Sequence, residues 1–203
     1  CCIILVVRLP EGTELAYNII HGTFGEDGAL QAILEERGVP YTGAGSRSSA
    51  LCFDKSESKK VFLEAGVPTP RAEILDCSGG IVMPSLPLPF VIKPPCEGSS
   101  VGVHIVHKQE DVLPAMEEAV THGTTVLVEE FIQGRELTVG VLDGEALPVI
   151  HICPRSGFYD LSNKYPWMNM GGGTDYICPA DLPEEIAAKV QEAALKAYRA
   201  AGV

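Results

Sequence analysis

Apolar positions along the chain fall into short blocks. Their spacing switches between the strand period of two and the helix period near 3.6. Residues 3–7 (IILVV) form a continuous β-branched block, as a strand buried on both faces would. A second apolar step, Tyr17 to Ile20, runs into His21 and the glycine-punctuated segment GTFGEDG (22–28). A helix is predicted next, capped by Asp27, with Leu30, Ile33 and Leu34 as its apolar stripe and Gly38-Val39-Pro40 at its end. The same syntax returns at 54–68, where Asp54 caps, Val61, Phe62 and Ala65 form the stripe, and Gly66-Val67-Pro68 closes. Two such endings predict two successive helix-to-strand connections.

Residues 77–89 (CSGGIVMPSLPLP) read as a Gly/Pro-rich linker. Residues 90–106 read as strand, loop and strand, with Val101, Val103 and Ile105 alternating in the second strand. A helix is predicted over 109–122, with Val112, Met116 and Val120 on one face. Strands follow over 125–132 and 136–142, and Asp143-Gly144 is a hairpin signal into 145–152. Residues 154–180 show little periodicity and read as one long loop, a length usually tied to function. The last helix starts at a capping-box-like Asp181-Leu182-Pro183-Glu184. It holds Ile186, Val190, Ala194 and Ala197 on one face and stops at Gly202. A helix in an α/β protein leads to another strand, so this ending is abrupt.

Composition narrows the class. The 203 residues are 46% hydrophobic and 21% charged, which excludes disorder and collagen-like or coiled-coil architectures. No apolar run reaches the ~18–20 residues of a membrane span. The formal net charge of −12 argues against a nucleic-acid surface, but a few local lysines can still gather an anionic small ligand. Seven cysteines, at 1, 2, 52, 77, 96, 153 and 178, are odd in number and lack a CxxC pair. They fit free thiols in a reducing, cytoplasmic setting better than a disulfide framework or a zinc site.

The candidate chemistry is local. Lys93 closes a strand and precedes a small-residue turn, Glu97-Gly98-Ser99-Ser100, whose backbone amides and hydroxyls could approach phosphate oxygens. The same pattern fits a hairpin loop with an exposed lysine, and GxxxxGK[ST] is absent. Glu129 and Glu130 point to opposite faces of a strand, where a carboxylate could accept from a ribose hydroxyl or simply meet water. His104 and His107 lack metal-ligand geometry, and no nucleophile elbow stands out.

Together the motifs go further. HGTFGEDGxLQ (21–31), GVPYTGxG (38–45), DKxxSK (54–59), PFVIKPxxEGSSVG (89–102), VLVEEFIxGRELTVGVL (126–142), SGFYDxxxKY (156–165) and TDYICPADL (174–182) resemble the D-alanine–D-alanine ligase family of the ATP-grasp superfamily. The resemblance implies an α/β ATP-grasp fold. It divides the chain into a partial Rossmann-like N-terminal domain (1–46), a small ATP-grasp domain (47–131) and the start of a C-terminal domain (132–203), with a lid loop over 154–180. It implies ATP and two molecules of D-alanine as ligands, joined through a D-alanyl phosphate for peptidoglycan precursor synthesis.

The resemblance also assigns residues. Lys55 and Lys93 would hold ATP phosphates. Glu97, Ser99 and Ser100 would fold over the nucleotide. Glu129, Glu130, Phe131 and Ile132 would form the adenine and ribose hinge, with Glu136 on the ribose side. Ser99 would bond to Tyr165 and to Glu136. Lys164 would close over the γ-phosphate, and the Lys164-Tyr165 pair goes with D-alanine as second substrate. His21 and Glu26 would lie near the substrate, Glu26 meeting the closed lid. The lid segment 166–173 (PWMNMGGG) is longer than usual for the family.

The family's first strand with its GGxSxExxVS motif, and its last segment with an oxyanion arginine and a D…E-x-N magnesium set, have no counterpart here. The resemblance therefore implies an internal fragment of a homodimeric ligase, inactive alone, with Mg2+ ligands outside these residues and none within them. A D-Ala–D-lactate or D-Ala–D-serine ligase and a non-catalytic nucleotide-binding module stay open as alternatives.

Overall fold

The structure is a computed structural model that describes residues 8–165, 167 and 173–203. The strand expected over 3–7 and most of the segment 166–173 lie outside the described residues. The apolar step at 17–20 forms no strand. Tyr17 and Ile19 are exposed, and among the described residues the pairing there is an isolated parallel bridge from Ala16 to Tyr41.

Three helices come first: α1 (Ala29–Glu36), α2 (Ser46–Phe53) and α3 (Lys55–Glu64). Asp27 accepts from the Ala29 amide, but the capping position belongs to Gly28 in the left-handed region at φ 89°. Leu30, Gln31 and Leu34 are the buried side of α1. Helix α2 escapes the apolar pattern because its buried residues are Ser48 and Ser49. Asp54 caps α3 as expected, accepting from the Ser56 and Glu57 amides. The expected stripe of Val61, Phe62 and Ala65 is a misreading, because Ser56, Ser58 and Lys59 are the buried residues of that helix.

A four-stranded antiparallel sheet follows, built from β1 (Ala72–Asp76), β2 (Phe90–Lys93) and β3 (His104–Val106), with β4 (Thr125–Glu130) after helix α4 (Val112–Ala119). The spatial order is β1-β4-β2-β3. Short 3-10 turns at 109–111 and 120–122 flank α4. Strand β3 is shorter than the alternation at 101–106 predicts. Ser99, Ser100 and Gly102 all have positive φ, which an extended strand does not allow.

Period-two alternation divides the sheet's faces. Phe90, Ile92, Val106, Val126 and Val128 pack with Val112, Met116 and Ala119 of α4 in one buried core. The register pairs Val91 with Glu129 and Lys93 with Leu127, so Lys93 and Glu129 share the opposite face as diagonal neighbours.

The rest is a second sheet and a long helix. Strands β5 (Glu136–Thr138) and β6 (Val141–Leu142) replace the single strand expected over 136–142. The Asp143-Gly144 hairpin forms as expected between β6 and β7 (Glu145–Ala146), with both turn residues at positive φ. Strand β8 (Ile150–Pro154) pairs with β5 and with a strand hidden in the presumed loop, β9 (Thr174–Ile177). That loop also holds the single-turn helix α5 (Leu161–Lys164). Helix α6 (Glu184–Ala201) starts on Pro183 without a side-chain cap, contrary to the expected capping box, and ends on Gly202 in the left-handed region as expected. No helix among the described residues is long and apolar enough to cross a membrane.

Candidate active site

Three adjoining hollows form one groove across the sheet. The outer one, about 610 Å3, is lined by Phe131, Ile132, Glu136, His151 and Phe158 among others. The middle one, about 450 Å3, shares Glu136 and Phe158 with it and adds Lys55, Lys93, Ser99, Ser100 and Lys164. The inner one, about 520 Å3, shares Lys55, Glu97 and Gly98 with the middle one and reaches His21, Glu26 and Gln31. An apolar hollow, a lysine-lined hollow and a third that carries His21, Glu26 and Gln31 thus follow one another.

The lysines come from two elements. Lys93 ends β2 and points from the sheet face away from α4. Its ammonium pairs with Glu129 Oε2, whose other oxygen takes Lys59 Nζ at 2.8 Å. Lys59 is 7% exposed and also donates to Thr69 Oγ1 and to the Pro70 carbonyl at 2.6 Å. Burial pushes the Glu129 carboxyl up, but the two ammonium groups outweigh it and hold it below the usual carboxylate range. Lys55, at the start of α3, donates to the Pro95 carbonyl at 3.2 Å and the Glu97 carbonyl at 2.5 Å. Burial and then the nearby charge of Lys93 hold the Lys55 ammonium below its ordinary value. Two cations held at one hollow at mutual cost leave room for a polyanion.

The serine turn is the other wall. Ser99 and Ser100 sit at φ 52° and 63°, a left-handed pair rare for non-glycine residues. Ser99 Oγ lies 3.4 Å from Tyr165 Oη, the contact expected of it. Ser100 Oγ accepts from Lys164 Nζ at 3.0 Å and donates to the Tyr159 carbonyl at 3.1 Å. The Lys164 ammonium also stands 4.9 Å from the centre of the Tyr159 ring. The segment 156–165 is therefore folded down onto the serine turn. Glu136 accepts from the Tyr159 amide at 3.3 Å, and not from Ser99 as expected. Glu97 faces His122 Nδ1 at 3.5 Å.

Of the expected hinge residues, Phe131, Ile132 and Glu136 line the groove. Glu129 is buried beneath the lysines, and Glu130 pairs with Arg71 Nε at 2.5 Å on the other face. His21 Nδ1 lies 3.6 Å from Glu26 Oε1, and Glu26 also accepts from the Gly22 amide at 2.6 Å. Both line the inner hollow, and the partners found for Glu26 are in its own loop rather than in the lid. Among the described residues no cluster of three His, Cys, Asp or Glu side chains is placed to hold a metal ion. The five described cysteines are free thiols.

Two structural residues were not singled out from sequence. Lys59 follows Lys55 by one helical turn inside the DKxxSK motif, a spacing that puts both on one face of α3. Asn163 is 2% exposed, just before Lys164-Tyr165. Its Nδ2 donates to the Ser156 and Phe158 carbonyls at 2.6 and 2.9 Å, and its Oδ1 accepts from the Gly173 amide at 3.2 Å. A lone polar residue in an aperiodic stretch carries no such signal.

A family model described as "D-ala D-ala ligase C-terminus" matches residues 76–203. The D-alanine–D-alanine ligase of Syntrophotalea carbinolica is 43% identical over 192 residues, 94% of this chain and 61% of that protein. A solved D-alanine–D-alanine ligase of Bacillus anthracis superposes with a TM-score of 0.79 at 32% identity, covering 95% of this chain and 62% of that one. A structure of such a Bacillus anthracis ligase complexed with ATP gives a TM-score of 0.76 at 30% identity, over 93% of this chain and 60% of that one. The VanG D-Ala:D-Ser ligase of Enterococcus faecalis gives 0.75 at 33% identity, over 93% and 56%. The chain thus spans about three fifths of the length of the relatives it matches. These likenesses bear out the ATP-grasp fold class expected from the sequence motifs.

Proposed function

Because the chain belongs to the D-alanine–D-alanine ligase family, we propose that it provides the nucleotide grip of an enzyme that joins two D-alanines at the expense of ATP. The observation that carries this is the order of the groove, an apolar hollow leading to three lysines and then to a hollow that carries His21, Glu26 and Gln31. Adenine would lie against Phe131 and Ile132, with the ribose at Glu136. The phosphates would meet Lys55, Lys93 and Lys164. Glu97, Ser99 and Ser100 would fold over them, and D-alanine would sit toward His21 and Glu26. In this reading residues 47–131 are the small ATP-grasp domain, 132–203 start the C-terminal domain and 1–46 are part of the N-terminal one. Glu129 would act from beneath the lysines and Glu130 from the hinge backbone.

The chemistry asks for charge neutralisation and exclusion of water. A carboxylate oxygen of the first D-alanine attacks the γ-phosphorus, and the bond to ADP breaks. The amine of the second D-alanine then attacks the acyl phosphate carbon, phosphate leaves, and the amine loses its proton. Lys55 and Lys93 offset the charge gathered on the phosphates. The segment carrying Lys164 and Tyr165, closed on Ser99 and Ser100, keeps water from the acyl phosphate. ATP normally brings magnesium, but the described residues do not form a ligand set for it, so no residue is assigned to the metal. The setting is the cytoplasm, where ATP is available, and the working assembly is a homodimer.

Titration calorimetry of the 203-residue chain with ATP tests the grip. ATP binds, and Lys93→Ala weakens it about tenfold, the loss expected when one charged hydrogen-bond donor is removed. Equal affinity of the two proteins refutes the phosphate assignment. Product chromatography with D-alanine, D-serine and D-lactate, on the chain extended by its in-frame flanking sequence, tests the reaction. D-alanyl-D-alanine is the expected product. A dominant D-Ala–D-Ser product would move the enzyme to the specificity named for the Enterococcus relative.

A further inference from the structure

Beneath the groove, two lysines share one carboxylate. Glu129 gives one oxygen to Lys93 and the other to Lys59. The three groups differ in access. Lys93 lines the middle hollow, with its side chain 21% exposed, whereas Lys59 is 7% exposed and absent from the lining of the groove. Lys59 is also fastened by Thr69 and the Pro70 carbonyl, so it cannot travel to a ligand. A buried carboxylate with one lysine would form a neutral pair, and an incoming anion would compete with it at low dielectric. With a second, fixed ammonium on its far oxygen, Glu129 stays compensated when Lys93 turns toward a ligand. The cluster as a whole keeps one net positive charge facing the hollow.

We propose that Lys59 is a positioning residue for nucleotide binding: a buried counter-cation that satisfies Glu129 and so frees the charge of Lys93 for the phosphates. Lys59 touches no ligand itself. The inference rests on the reading of the groove as a nucleotide site, and it predicts an effect on phosphate recognition alone, apart from the base.

The test is calorimetric titration of the 203-residue chain with ATP and, separately, with adenosine, which has the base and sugar but no phosphate. In Lys59→Met, ATP affinity drops about tenfold while adenosine affinity holds, because Lys93 is now fully engaged by Glu129. Lys59→Arg, which keeps the charge, retains most of the ATP preference. In Lys59→Met/Glu129→Gln the competing carboxylate is gone, and the ATP preference returns. A general packing defect would lower both ligands together and would not be mended by the second change.

An unchanged ratio of ATP to adenosine affinity in Lys59→Met overturns the inference, as does a double variant no better than the single one. If the wild-type chain binds ATP no better than adenosine, the nucleotide reading itself falls. If that preference exists and depends on Lys93 but not on Lys59, only the present inference falls. Should Lys59→Met fail to melt cooperatively, Lys59→Gln decides, since it keeps a hydrogen-bond donor beside Glu129 but not the charge. The ratio of ATP to adenosine affinity then falls, and an unchanged ratio overturns the proposal.

Discussion

Asn163→Ala should loosen the base of the lid while leaving the four-stranded sheet intact. Asn163 ties the two ends of the segment together, bonding to the Ser156 and Phe158 carbonyls on one side and to the Gly173 amide on the other. Gly173 is buried, so losing its partner strands an amide, at about 1–3 kcal/mol. Ser156 is exposed and its carbonyl can bond to water, so its bond counts only at the net value of about 1 kcal/mol. Phe158 lies between the two. The sum is at least about 3 kcal/mol, or roughly 100-fold or more in the local opening equilibrium. Amide hydrogen exchange read by mass spectrometry resolves it. Residues 156–165 and 173–177 should exchange at least about 100-fold faster, with β4 amides unchanged. Trp167, the single tryptophan and 77% exposed beside Tyr165, gives a fluorescence readout of the same event. Asn163→Asp separates the bonds, since a carboxylate still accepts from Gly173 but faces the two carbonyls without a donor, and it should be no better than alanine. Unchanged exchange in the lid base, or equal acceleration in β4, refutes the reasoning.

Three further outcomes follow from the same geometry. Burial and then the charge of Lys93 lower the Lys55 pKa. Lys55 therefore loses its charge below the ordinary lysine value, so under the proposed function ATP affinity should begin to fall before that pH is reached. Lys55→Arg should remove the fall, and a wild-type profile that stays flat to the ordinary lysine pKa counts against the site. Ile92 is fully buried between the sheet and α4, so Ile92→Ala should cost about 2–5 kcal/mol in urea unfolding with little change in slope; a loss under about 1 kcal/mol would mean that the core collapses around the gap. Gly25 has no room for a side chain, because a Cβ would meet the Ile20 carbonyl, while its own carbonyl takes Asn18 and Gln31. Gly25→Ala should lower the melting temperature and displace His21 and Glu26, and an unshifted melt would show that the loop yields freely.

How much of this was legible in the sequence depended on whether local pattern or tertiary contact set the outcome. The sheet-and-helix core around Ile92, Val128 and Met116 follows from alternation and helical spacing, since those side chains are buried by the pattern that predicts them. Helix α2 and the buried face of α3 did not follow, because serines and a lysine occupy the inside there. Ser48, Ser49 and Ser58 are satisfied by nearby carbonyls, those of Gly45, Ala44, and Leu51 with Asp54, whereas Lys59 relies on Glu129, distant in sequence. Strand β9 was missed because Thr174–Ile177 has no apolar alternation of its own and exists by pairing with β8. At the site, Lys93 and the serine turn were legible as a phosphate-approaching motif. The particular contacts of Glu129 and Glu136 were not legible, because which oxygen meets which donor is decided by strand register and by the packing of the segment 156–165.

The three lysines that line the groove are held with different firmness, and under the proposed function this ordering suits a site that must close and reopen. Lys55 is fastened to two backbone carbonyls and stays where it is. Lys93 is paired to a carboxylate that Lys59 already compensates, so it can reorient without stranding a buried charge. Among the described residues Lys164 is held by a serine hydroxyl and a tyrosine ring, both weaker than an ion pair, and its helix is one turn long. An incoming phosphate chain would therefore find a fixed cation, a pivoting one and a mobile one. In an acidic protein of net charge −12, that local arrangement rather than the overall charge directs an anion to the groove, and its attraction should persist at salt concentrations that screen the distant carboxylates.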